Sequence, residues 1–164
     1  MTDAPSSAMN NSTATAVVAV RDDGRARAIL RGTQRLLRSL NFESLSEVCL
    51  GNGRRADILA LGRDGTTWIV EIKSSIADFR SDQKWHEYRD YCDALLFAVA
   101  PDFPSEILPS DTGLILADAY AGELVREAPR HPMSPARSKA LTLSFARTAA
   151  TRLLAQVDPG AEME

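Results

Sequence analysis

The stretch that most constrains this chain is Ala94-Leu95-Leu96-Phe97-Ala98-Val99-Ala100, an unbroken apolar run of strand length followed by Pro101. A strand that is apolar on both faces must be covered on both, which calls for a sheet with helices on either side. The run therefore predicts an α/β fold rather than a helical bundle or a two-sheet sandwich. Upstream, Leu45–Leu50, Ala56–Leu61 and Thr66–Lys73 are short β-rich runs divided by Gly51-Asn52-Gly53 and Arg63-Asp64-Gly65. This predicts a three-stranded meander. Gly113–Ala117 and Glu123–Arg126 predict a further hairpin around Tyr120-Ala121-Gly122, so the sheet should be mixed and hold about five or six strands.

Arg25–Leu40 repeats at helical spacing. At about 100° per residue, Ala26, Ile29, Leu30, Thr33, Leu36, Leu37 and Leu40 share one face, and Arg27, Arg31, Arg35 and Arg38 form a stripe opposite. Asp22 and Asp23 stand where the helix dipole favours acids. Ser75 with Asp78 resembles a capping box opening a helix through Trp85 and Tyr88 to about Tyr91. Ser134-Pro135 opens a final amphipathic helix, about 135–157. There is no internal repeat and no sign of a second domain. The reading is one domain over 21–158 with its core at about 25–126, a disordered tail over 1–20 and a flexible terminus at 159–164.

The net charge of −3 hides a segregation: residues 21–55 carry +4 and residues 56–123 carry −8. A positive N-terminal third beside a carboxylate-rich middle suits phosphate chemistry better than the average suggests. Cys49 and Cys92 have no metal-ligand or disulfide spacing, which fits a reducing cytoplasm. Residues 1–16 lack the pattern of a signal peptide, and no stretch has the ~18 apolar residues of a membrane span, so no membrane partner is expected.

The chemistry concentrates between Arg54 and Ser75. Side chains alternate along a strand, so Glu71 and Lys73 share a face. If Arg63-Asp64-Gly65 is a three-residue loop, Gly62 pairs with Thr66 and Asp57 falls opposite Glu71. A Gly51-Asn52-Gly53 loop likewise sets Glu47 opposite Asp57. Three carboxylates with Cβ atoms roughly 5 Å apart between neighbouring strands would line one side of the sheet beside Lys73. Like charges so close repel, and a divalent cation resolves the conflict. Hard oxygen ligands point to Mg²⁺ or Mn²⁺ rather than zinc. The plain alternative is an ion pair on the sheet surface.

Asp57, a hairpin, then Glu71-x-Lys73 resembles the PD-(D/E)XK nuclease superfamily. The phrases GRRADILAL, WIVEIKSS, DFRSDQKWHEY and CDALLFAV are similar to its MmcB-like DNA-repair family in particular. The resemblance covers about residues 25–126. It implies a restriction-endonuclease-like αβββαβ core with a mixed sheet, metal held by Asp57 and Glu71, Lys73 in the catalytic position, DNA as substrate and phosphodiester hydrolysis. Ala56 stands where the motif has proline. Many relatives carry a Glu on the first helix, where this chain offers Gln34; Glu47 is the candidate to replace it as a third metal ligand. Where relatives have Gln-x-x-x-Tyr after the motif, this chain has Lys84 and Tyr88, which with Gln34 and Ser74 make up the expected supporting set.

Arg27, Arg31 and Arg35 recur every four residues and could meet successive phosphates, and Arg54 and Arg55 precede Asp57 where a phosphate would arrive. Such contacts are blind to base identity. The expectation is a Mg²⁺- or Mn²⁺-dependent endonuclease of DNA repair, cytoplasmic and nucleoid-associated, working with DNA-repair protein partners. A non-catalytic nucleic-acid- or protein-binding module of the same fold stays open, as does action on RNA, and sequence does not decide oligomeric state. Trp68, Trp85, Tyr88 and Tyr91 read as core, Asp78 and Asp82, one helical turn apart, are explained by capping and solvation as well as by a second metal, and His86 and His131 receive no role.

Overall fold

The computed structural model describes residues 23–160. The tail expected over 1–20 and most of the terminus expected at 159–164 lie outside the described residues. The Arg25–Leu40 periodicity is realised as α1 (Asp23–Ser39), which buries Ile29, Gly32, Thr33 and Leu37. Then come β1 (Phe42–Cys49), β2 (Arg55–Gly62), β3 (Thr67–Lys73), α2 (Ile76–Ser81), β4 (Ala94–Val99), β5 (Gly113–Ala117), β6 (Gly122–Arg126) and α3 (Pro135–Val157). The strands form one sheet in chain order. The β1–β2, β2–β3 and β5–β6 pairs are antiparallel, and β3–β4 and β4–β5 are parallel. This is the expected mixed α/β sheet with β4 inside it, every residue of Ala94–Val99 buried.

The two faces are covered by different elements. α1 closes one, where Ile29 and Leu37 pack with Ile58, Ala60, Val70, Ile72, Leu96, Ala98 and Ile115. On the other, Ala56, Leu59, Ile69 and Leu95 pack under Tyr88 of the 3₁₀ segment Trp85–Tyr91, Cys92 that caps it, and Leu141 of α3. Asp93 ties down the proline-rich approach to α3: its carboxylate accepts from the Thr67 and Met133 N–H groups, and its carbonyl accepts from His131. Trp68 is half-buried and packs on Phe42 with ring centroids 4.3 Å apart.

The expected helix from Ser75 to Tyr91 is corrected by the structure into two pieces. Ser75 does cap α2, its side chain accepting from the Asp78 N–H. The helix stops at Asp82, whose N–H donates to Phe79 O while its carboxylate accepts from the Lys84 N–H and is held by Lys73. A side chain bonded to its own downstream backbone competes with helix continuation. A 3₁₀ turn then resumes at Trp85.

Close approach of α1 to the β5–β6 turn demands glycine at position 32. A Cβ there would lie 2.2 Å from Asp118 O and 2.3 Å from Ala121 O, both backbone atoms. Gly32→Ala should therefore cost about 3 kcal/mol through forced displacement. Thermal unfolding should show this as a Tm lower by roughly 6–12 °C for a chain of this size.

Candidate active site

β2 and β3 run in the register that the turn residues predict, with Ile58 opposite Val70 and Leu59 opposite Ile69. That continuation brings Asp57 to Glu71: the Asp57 N–H donates to Glu71 Oε1 at 3.2 Å, and Asp57 Oδ2 accepts from the Ile72 N–H at 2.8 Å. Parallel pairing places Glu71 beside Phe97 and Lys73 beside Val99 on β4. Phe79 of α2 and Trp85 pack edge-on against Phe97, at 5.7 and 5.6 Å, and close that side against water. Glu71 and Lys73 are each only 4% exposed. A cavity of about 300 Å³ opens above them, lined by Arg54, Arg55, Asp57, Glu71, Lys73, Asp78, Asp82, Lys84 and Tyr88.

Burial, with the Asp57 charge next to it, pushes the Glu71 carboxyl up to about 8, against the opposing pull of Lys73 and the Asp57 N–H. Lys73 Nζ is held by Asp82 Oδ2 at 2.5 Å. Burial raises the Asp82 carboxyl, but the bonds from Lys73 and the Lys84 and Trp85 N–H groups outweigh it and leave Asp82 below the usual carboxylate range. Tyr88 is buried, its hydroxyl donates to Arg55 O at 3.0 Å, and desolvation raises its pKa. Ser74 donates through both N–H and hydroxyl to Asp78, so it braces the entry of α2 beside the cavity.

A raised carboxyl has a definite effect on stability. Folded Glu71 keeps a proton that the unfolded chain, at about 4.5, has lost. The stabilisation is whole below pH 4.5 and disappears as pH rises through about 8. With chelator present, unfolding free energy should fall across that window by on the order of a few kcal/mol, and Glu71→Gln should flatten the profile. A urea titration at several pH values checks this.

Several expected residues are placed otherwise. Glu47 does not join the pair, which corrects the expected three-carboxylate set. The β1–β2 ladder has the predicted register on either side, yet is interrupted there, and Glu47 adopts φ 53, a left-handed backbone that costs a non-glycine residue about 1–2 kcal/mol. Arg152 of α3 donates to Ser46 O and Glu47 O, and the Glu47 carboxylate turns to Arg55 at 2.6 Å. Gln34 is also corrected: it reaches Ser44 at 3.4 Å, on the stretch of β1 paired with Ala60, away from the cavity. Among the described residues, no three of His, Cys, Asp and Glu form a metal-holding group; Asp57 and Glu71 are joined directly through the Asp57 N–H.

Arg54 is not an open phosphate contact. Its guanidinium makes a two-pronged bond to Glu87 at 2.7 and 3.0 Å, which lowers the Glu87 carboxyl pKa. Arg35 donates to Tyr120 O and Arg38 pairs with Glu43. Arg27 and Arg31 are exposed, with no ion-pair partner among the described residues. Arg27 also borders a second hollow of about 240 Å³ on the α1 side of Asp57, shared with Asp23, Ala26, Leu30, Glu47 and Ile72. Sequence reasoning missed Asp82 and Glu87, the counter-charges of Lys73 and Arg54, and gave Asp23 only a dipole role. Asp82 follows Lys73 by nine positions across a helix boundary, and no periodicity signals such a pair.

A family model described as DNA repair protein MmcB-like matches residues 13–160. The chain belongs to the MmcB-like DNA repair family. The solved structure of the SPO1766 protein of unknown function from Silicibacter pomeroyi is similar at 43% identity with a TM-score of 0.83, covering 87% of this chain and 97% of that one. No curated protein matches the chain. Among the described residues of this MmcB-like chain, no helix is long and apolar enough to cross a membrane.

Proposed function

We propose that this MmcB-like chain is a Mg²⁺- or Mn²⁺-dependent endonuclease of the PD-(D/E)XK kind, hydrolysing DNA phosphodiester bonds during repair. The observation that carries the reading is Glu71, buried beside Asp57 with its carboxyl held far above the usual range while the ammonium of Lys73 is engaged by Asp82. The donor set fits Mg²⁺, which binds through one or two carboxylates and keeps other positions for water and substrate phosphate. When bound, such an ion polarises the phosphodiester and lowers the pKa of a coordinated water.

The chain's own residues do the rest. Asp57 and Glu71 would hold the ion, and Glu71 would give up its proton to serve as a ligand. Lys73, fixed by Asp82, presents its ammonium where charge builds on the phosphoryl oxygens. Phe79, Trp85 and Phe97 keep the floor dry. Arg55 and Arg54 reach phosphate by exchanging Glu47 and Glu87, at small cost because both pairs are partly exposed. Arg27 and Arg31 extend the phosphate track along α1.

Incubating plasmid, single-stranded and gapped DNA with the protein in Mg²⁺ or Mn²⁺ tests the proposal. Wild type should cleave at least one substrate, and Asp57→Ala and Lys73→Ala should not. Wild type that binds DNA yet cleaves no more than those variants would establish the binding-module alternative. Arg27→Ala with Arg31→Ala should lower the log–log salt slope of duplex binding by about 1.8, or 0.9 for each phosphate that is no longer neutralised.

A further inference from the structure

The two faces of α3 meet different surroundings. Its inner face is accounted for: Leu141 is buried, Phe145 is half-buried in the core beneath the sheet, Arg137 stacks on Tyr91, and Arg152 caps the β1 irregularity. The outer face carries Leu143, Ala146, Ala150, Leu153 and Val157, all exposed. They recur in steps of three, four, three and four, the seam spacing of a helix that packs against another helix. Leu143 is 55% exposed, Leu153 62%, Leu154 47% and Val157 76%. Four bulky apolar side chains on one helix, in line, are more than scattered surface residues.

Composition says what covers this seam. α3 contains Arg137, Lys139, Arg147 and Arg152 and no acidic residue. Lys139 at the start of the seam and Arg147 on its flank are exposed and have no ion-pair partner among the described residues. A second copy of α3 would bring its cations against the same cations, with only the capping Asp158 at the far end to offset them. A helix that lies on a membrane is rich in Lys/Arg beside bulky and aromatic side chains, whereas the outer face of α3 has two cations and no aromatic ring, and the alanines at the middle of its seam form a saddle that admits a helix closely. We infer that α3 is the docking site for an acidic amphipathic helix of a partner protein, its apolar seam on Leu143, Leu153 and Val157 and its carboxylates on Lys139 and Arg147. The bound helix would lie about 10 Å, one helix diameter, from the Arg152 contact to Glu47. This inference goes beyond the hydrolytic reading and does not depend on it.

The test uses the full chain and two labelled synthetic helical peptides with leucine at the seam, one flanked by Glu and the other by Lys. Fluorescence anisotropy should show the Glu peptide binding at least tenfold more tightly, with binding lost in Leu153→Ser/Val157→Ser. Arg147→Glu should narrow or reverse the preference. Circular dichroism of each variant confirms that α3 persists. Equal affinity for both peptides, or binding unchanged in the double variant, overturns the proposal. So does a wild-type dimer in sedimentation that the double variant dissolves, which assigns the face to a second copy. Seam-dependent binding to phosphatidylglycerol vesicles without peptide preference assigns it to lipid, and peptide binding only after deletion of residues 1–20 assigns it to the chain's own N-terminal segment; either result also overturns it.

Discussion

Asp82→Ala should destabilise the protein by about 3 kcal/mol, a Tm decrease of roughly 6–12 °C. Lys73 is almost wholly buried and Asp82 is its bonded counter-charge at 2.5 Å. Removing one partner of a buried pair leaves the other charge without compensation, typically at a cost of about 3–5 kcal/mol. The lower end applies here because Asp57 remains in the same cavity, while loss of the carboxylate's bond from the Lys84 N–H adds to the penalty. Asp82→Asn keeps the backbone bond and should lose less. Replacing both partners, Lys73→Met with Asp82→Leu, should recover part of the loss, since apolar substitutes carry no desolvation cost. Urea unfolding of the three proteins decides this; a loss below about 0.5 kcal/mol in Asp82→Ala would show that Lys73 is not held as described.

Glu71→Gln should produce opposite effects on activity and stability. On the proposed mechanism cleavage should fall by about 10³-fold or more, because the ion would lose one of the two carboxylates proposed to hold it and with it several kcal/mol of transition-state stabilisation. Stability at pH 8 in chelator should instead rise, because the buried charge beside Asp57 is gone. A site residue held at a cost to folding is the usual trade between function and stability. Asp57→Asn and Lys73→Met should show similar losses of cleavage that do not add in combination, since the residues act as a unit. Quantified plasmid nicking beside thermal unfolding gives both readouts.

What could be read from the sequence follows the range of the forces involved. The apolar run at Ala94, the turn residues around Gly53 and Gly65, and the α1 periodicity are local or pairwise signals, so the six-stranded sheet and the approach of Asp57 to Glu71 were legible. Glu47 was misplaced because its left-handed backbone depends on Arg152, which comes from a helix more than a hundred residues away. The division of the Ser75–Tyr91 helix depends on the Lys73–Asp82 bond, and the neutralisation of Arg54 on Glu87, neither of which leaves a trace in spacing. The final helix was correctly bounded, but only the packed structure shows which of its faces meets the sheet and which meets solvent.

A calorimetric titration of Mn²⁺ into the full chain at pH 7, repeated in buffers of different ionisation heat, tests the central claim most directly. The pair Asp57 and Glu71 should give one site that releases close to one proton on binding, since Glu71 is mostly protonated when its pKa is about 8. Affinity should increase toward pH 8, and Asp57→Asn should abolish the site. Binding without proton release, or the same weak binding in wild type and Asp57→Asn, would contradict the account.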